Sequence, residues 1–223
     1  MTTTGVAARV GVVRSRIADA TRRVGRDPVD VTLVAAAKTV DTVRVAELLA
    51  AGVRDVGENR AQELLAKAPD LADEPLPPRW HFVGRLQRNK VAGLARWVSL
   101  WQSVDREPLG LAIARRAPGA EVLVEVNLGE EGQKGGCAPA HAPALVDALR
   151  ELGLQVRGLM TVHPQVGDPR SWFASLRTLG TRLALPELSM GMSDDYELAV
   201  EEGATIVRVG RALFGGREAA ARP

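Results

Sequence analysis

Apolar positions along this chain follow two alternating rhythms. From about Gly5 to Val24, Val6, Val10, Val13 and Ile17 recur at helical spacing, with Arg9, Arg16 and Arg23 off that face, which predicts an amphipathic helix. Gly25 and then Asp27-Pro28 stop it. Next comes V31-T-L-V-A-A-A-K38, whose residues before the lysine carry no charge, as expected of a strand buried on both faces. Asp41 is placed to cap a following helix that carries Val45, Leu48 and Leu49 and ends at Gly52.

That unit repeats. Further strands are predicted at Val53–Gly57, Trp80–Gly84, Trp97–Ser103, Glu121–Asn127, Gln155–Met160, Glu187–Gly191 and Thr205–Val209. The intervening helices are predicted at Arg60–Lys67, Asn89–Arg96, Glu107–Arg116, Ala140–Leu152, Pro169–Leu183 and Tyr196–Glu202, with Gly210 and Arg211 opening a last one. Eight β-then-α units call for a parallel sheet with right-handed crossovers. In about 200 residues they predict a (β/α)8 TIM barrel with an extra N-terminal helix, one domain over residues 1–223. An open doubly wound sheet is the alternative, but it usually has a glycine-rich turn after its first strand, where this chain has Ala-Lys-Thr. Pro69 to Arg79, with four prolines, reads as one long surface loop rather than a linker.

Composition narrows the function. A 46% hydrophobic chain whose aromatics reach only 4% suits aliphatic helices packed on a parallel sheet. The net charge of +2 and the lack of a basic stripe argue against nucleic acid as a partner. Cys137 is the one cysteine, which excludes an intramolecular disulfide framework and any cysteine-rich metal site. With no membrane-length apolar stretch and no signal-like start, no membrane partner is expected and a cytoplasmic location is.

The C-terminal strand ends of such a barrel form its active face, so polar residues there are the candidates. Lys38 ends the first strand. It is either a strand-end lysine reaching for water or, in an apolar mouth that disfavours its ammonium form, an amine available for a Schiff base. Ser193 and Gly210 lie in the turns after strands seven and eight, the usual phosphate corner; equally, they suit a helix cap and a tight turn. Arg208 is a lone charge in a buried strand, destined either for a carboxylate such as Glu125 or for a cofactor's ring nitrogen.

These features together resemble the pyridoxal 5′-phosphate (PLP) homeostasis protein family, itself similar to the N-terminal barrel of alanine racemase. The resemblance spans about Val6 to Gly216. It rests on A35-A-A-K-T39, G57-E-N-R-A-Q-E63, W80-H-F-V-G84, S103-V-D-R106, N127-L-G-E-E-G-Q-K-G135, R157-G-L-M-T161, L188-S-M-G-M-S-D-D195 and V207-R-V-G-R-A-L-F-G215. It implies PLP as cofactor on Lys38, with Ser193 and the backbone of Gly210 and Arg211 on the phosphate and Arg208 at the pyridine nitrogen. Asn59, His81 and Met192 would line the pocket, with Ser189 beside it and Lys134 near the phenolic oxygen. Arg211 stands where many relatives carry Ser or Thr, and Ala37 likewise precedes the lysine in place of a hydroxyl residue.

The same resemblance implies a non-enzymatic PLP carrier or buffer in vitamin B6 and amino-acid homeostasis. Apo-enzymes that receive the cofactor transiently would be its partners, and a monomer is expected. An arginine at the ring nitrogen weakens the electron sink, and related racemases compensate with a tyrosine base from elsewhere. Here the single tyrosine, Tyr196, begins a helix, leaving only His81 and His163 as candidate bases. A PLP-dependent racemase or lyase, and a cofactor-free Schiff-base aldolase using Lys38, are the alternatives.

Overall fold

The computed structural model describes residues 5–129, 131–132, 135–164 and 166–215. Its strands are β1 (Thr32–Ala36), β2 (Asp55–Glu58), β3 (Arg79–Phe82), β4 (Val98–Val104), β5 (Glu121–Glu125), β6 (Gln155–Met160), β7 (Glu187–Ser189) and β8 (Ile206–Val209). All neighbours pair in parallel in chain order, and β8 returns to β1, so the sheet closes into a barrel. Closure removes both sheet edges and excludes the open doubly wound alternative.

The helices are α1 (Val6–Arg23), α2 (Thr42–Ala50), α3 (Ala61–Asp70), α4 (Val91–Leu94), α5 (Glu107–Arg116), α6 (Ala142–Glu151), α7 (Pro169–Arg182), α8 (Tyr196–Glu201) and α9 (Arg211–Phe214). The N-terminal helix is present as expected, its Val6, Val10, Val13 and Ile17 buried. It packs across α2, α8 and α9 on the outside of the barrel. Asp41 caps α2 by accepting from the Arg44 N–H.

Most boundaries shift by a residue or two from the pattern-based expectation, and three of the differences have a clear physical reason. The first strand ends at Ala36, because Thr39 takes a left-handed φ of 61° and the chain has turned by Lys38. Helix α3 continues through Pro69 to Asp70, since a proline in a last turn forfeits only one hydrogen bond. The helix expected over Asn89–Arg96 is a 3-10 turn, Arg88–Lys90, running into the single turn of α4.

Alternation along each strand divides the core in two. Outward residues such as Ala35, Val56, Trp80, Trp101, Val124, Val207 and Val209 join the large cluster under the helices. The inward apolar cluster is small: Val34, Leu100, Leu123, Met160 and Ile206. Barrel lumens are usually filled by bulky branched residues. Here Asp55, His81, Gln102, Glu125, Ser189 and Arg208 share the inward register and are buried or nearly so. That polar lumen is the feature the function must explain.

Candidate functional site

Lys38 continues the inward register of Val34 and Ala36, two residues beyond the last residue of β1, and so stands at the mouth of the barrel. It is exposed, not walled by apolar side chains as its sequence context suggested, because the turn at Thr39 lifts it out of the strand. The turn is tied from both sides by α3. Lys67 Nζ donates to the Ala37 carbonyl at 2.9 Å, and the Thr39 N–H donates to Glu63 Oε2 at 2.8 Å. A β-branched residue at positive φ is strained, and such strain persists only where the surroundings impose it.

Arg208 lies on β8, in register with Val34 of β1. The residue is 5% exposed, and its guanidinium donates to Ser189 Oγ at 2.6 Å and to the Thr161 carbonyl at 2.7 Å. Both partners are neutral, and no ion pair to Glu125 or another carboxylate forms among the described residues. Burial pushes the guanidinium down to about 10, against an upward pull from Glu125 and Asp195. It therefore stays cationic at neutral pH, with N–H groups to spare.

The turns after β7 and β8 meet beside it. The Gly210 N–H donates to Ser193 Oγ at 3.1 Å. A Cβ on Gly210 would lie 3.1 Å from the Ala36 carbonyl oxygen, so a side chain there would crowd the end of β1. The N–H groups of Ser193, Asp194, Arg211 and Ala212 have no acceptor among the described residues. The turn is shaped by Asp195, which accepts from the Met192 N–H at 2.6 Å and contacts His163 Nε2 at 2.7 Å. The Arg211 side chain turns to solvent and pairs with Asp194.

The remaining candidates spread around the mouth and below it. Asn59 follows β2, and its Oδ1 is buried without a hydrogen-bond partner. Met192 is half-buried in the turn after β7. His81 and Ser189 lie in the lumen. His81 Nε2 sits 2.9 Å from Asp55 Oδ1 and Nδ1 sits 2.7 Å from Gln102 Nε2. Ser189 Oγ donates to Gln102 Oε1 at 2.6 Å. Lys134 lies outside the described residues.

Sequence reasoning missed Gln102, Thr161 and Asp55, and treated Glu125 only as a partner for Arg208. Glu125 ends β5 facing the mouth; it is 8% exposed, and its Oε2 has no hydrogen-bond partner. Burial, with Asp105 nearby, raises its carboxyl to about 7, only partly offset by Arg208 and Arg85. Strict alternation inward and outward would have flagged Asp55, Gln102 and Glu125, but not Thr161, which follows inward-facing Met160 and contributes its carbonyl.

Residues 12–218 match the alanine racemase N-terminal domain family. A protein of Pseudomonas aeruginosa named pyridoxal phosphate homeostasis protein is 42% identical, the match covering 96% of each chain. The chain belongs to the pyridoxal phosphate homeostasis protein family. A member from Aquifex aeolicus is 44% identical over 94% of this chain and 97% of its own. The solved structure of PipY from Synechococcus elongatus, with PLP bound, superposes with a TM-score of 0.82 at 35% identity, covering 94% of this chain and all of that one.

The single tyrosine, Tyr196, is buried among the outer helices, where burial raises its hydroxyl and Glu197 and Arg16 are its charged neighbours. His163 is buried against Phe173, with Nδ1 2.6 Å from the Pro164 carbonyl and Nε2 on Asp195.

Proposed function

We propose that this protein binds PLP in the barrel mouth through a Schiff base on Lys38. In this reading it carries or buffers the cofactor for vitamin B6 and amino-acid homeostasis, without robust catalysis of its own. The supporting observation is Arg208, a buried cation whose protein partners are both neutral, directed at the same mouth as Lys38. A buried guanidinium with spare donors calls for an acceptor, and an unprotonated pyridine nitrogen is one.

The other residues fit the same ligand. The free N–H groups of Ser193, Asp194, Arg211 and Ala212 face a corner that suits a phosphate, with Gly210 keeping the approach open. Asn59, with its unpartnered Oδ1, and Met192 would border the ring. Bound PLP supplies an aldehyde that condenses reversibly with amines and a conjugated ring that accepts electrons. Lys38 Nζ would supply the amine, with water as the leaving group, and Arg208 would keep the ring nitrogen unprotonated. Such a nitrogen weakens the electron sink. His81 and His163 have both ring nitrogens engaged in the fold, and Tyr196 is remote, so none of the three bases named from the sequence stands ready to move a proton on the opposite face. A carrier follows more readily than a racemase.

No described helix is long and apolar enough to cross a membrane. A cytoplasmic monomer that hands the cofactor to apo-enzymes is part of this proposal. The test is PLP titration followed by borohydride reduction and peptide mapping. The expected result is a visible absorption band and a reduced adduct on Lys38 that Lys38→Ala abolishes. A colourless protein with no mass gained at Lys38 overturns the reading in favour of a Schiff-base aldolase. Turnover of an amino acid at rates of roughly 1–10³ s⁻¹ overturns the carrier half alone.

A further inference from the structure

The lumen below Arg208 holds an unbroken hydrogen-bonded line, Arg208–Ser189–Gln102–His81–Asp55, which the binding reading does not use. With the Gln102 amide oriented as it stands, the direction of each bond in it follows. A guanidinium only donates, so Ser189 Oγ accepts from Arg208 and its own proton goes to Gln102 Oε1. The Gln102 amide NH2 then faces His81, whose Nδ1 must present a lone pair, so the ring proton is on Nε2 and points to Asp55. Turning the amide over would leave the Ser189 hydroxyl proton without an acceptor. Asp55 ends the line as an ionised acceptor. Burial pushes its carboxyl up, but hydrogen bonds from His81 and Arg79 outweigh this and hold it below the usual carboxylate range.

We propose that Asp55, His81, Gln102 and Ser189 are positioning residues, a one-way relay that holds the Arg208 guanidinium toward the mouth and thereby sets the protonation of the bound pyridine nitrogen. This rests on the reading that Arg208 faces that nitrogen. The relay has a competitor to overcome. Glu125, also inward-facing and with an unpartnered oxygen, attracts Arg208 electrostatically yet forms no ion pair with it. Ser189 and the Thr161 carbonyl keep the guanidinium on the β6–β7 side. Without Ser189, one of those two ties is gone and Glu125 becomes the better partner. The spare donors then leave the ring nitrogen. Buried charge-assisted bonds of this kind are the ones whose loss is felt.

The experiment loads Ser189→Ala, Gln102→Leu and Arg208→Met with ring-labelled PLP. It reads the nitrogen NMR shift, the PLP affinity, the adduct on Lys38 and the thermal melt. Ser189→Ala and Gln102→Leu are expected to weaken PLP about five- to tenfold and to move the nitrogen resonance toward its protonated position. Adding Glu125→Gln to Ser189→Ala recovers part of both, because the competing carboxylate is gone. A purely structural role would lower the melt without moving the resonance, and Ser189→Ala, the loss of one oxygen, decides the matter if Gln102→Leu does not fold.

The outcomes separate the two claims. If Arg208→Met moves the resonance while Ser189→Ala and Gln102→Leu leave it and the affinity at wild-type values, the relay is overturned and the placement of Arg208 stands. If Arg208→Met also leaves the resonance unmoved, with PLP still trapped on Lys38, the placement of Arg208 falls and the relay with it.

Discussion

Lys67 Nζ reaches 2.9 Å from the carbonyl oxygen of Ala37, so that a lysine on α3 holds the backbone one residue ahead of Lys38. The same ammonium pairs with Glu58, whose side chain is fully buried between β2 and α3. Glu63 completes the clamp through the Thr39 N–H. The strained turn that lifts Lys38 into the mouth is thus fixed by three charged groups that never touch the mouth themselves.

Removing Lys67 strands a buried carboxyl and releases the turn. Lys67→Met is expected to cost about 3 kcal/mol in denaturant unfolding and to weaken PLP binding. Glu63→Gln retains an acceptor for Thr39 and changes stability by under about 1 kcal/mol. Equal losses from both substitutions would mean that the clamp is not what supports the turn.

Glu125 gives the protein a pH dependence of known sign. Its folded carboxyl keeps a proton up to about 7, whereas the unfolded group releases it near 4.5. Between those values the folded state binds more protons, so this contribution to stability is full below the lower value and falls as pH rises through the upper one. Glu125→Gln should flatten that slope and gain up to about 3 kcal/mol over wild type at pH 8. Denaturant melts at pH 5 and pH 8 measure it, and an unchanged slope would show that Glu125 is not the titrating group.

Gly84 has no room for a side chain. A Cβ would fall 2.2 Å from the Asn59 carbonyl oxygen and 2.7 Å from Asn59 Cα. Gly84→Ala must move the backbone of Asn59, at a cost of about 2 kcal/mol or more. PLP affinity should fall along with the melting temperature. A variant that keeps wild-type affinity would remove Asn59 from the site.

Arg211 pairs with Asp194, but both side chains are largely exposed. Exposed pairs contribute little, so Arg211→Ser is expected to change stability by less than about 0.5 kcal/mol. The serine would add a hydroxyl at the phosphate corner, and PLP affinity should hold or rise. A marked loss of affinity would show that the guanidinium itself binds phosphate.

Local pattern carried the architecture because alternating β and α segments of these lengths have few ways to bury their apolar faces, and a closed parallel barrel is one of them. It also singled out Lys38 and Arg208 as candidates, since a charge ending or interrupting an apolar strand is visible in any single segment. The exposure of Lys38 was not visible there, because it depends on Thr39 being held at positive φ by residues of α3.

The connections across the polar lumen lay beyond the sequence for a related reason. Ser189 and Gln102 are 87 positions apart, and their meeting depends on how eight strands are staggered around the barrel. That stagger is altered by register shifts at Trp80/His81, Trp101/Val104 and Val122/Leu123. Apolar periodicity determined which strands exist and which residues alternate inward. Only closure of the barrel decided which inward residues share a level, because register is set by the packing of every strand against its neighbours at once.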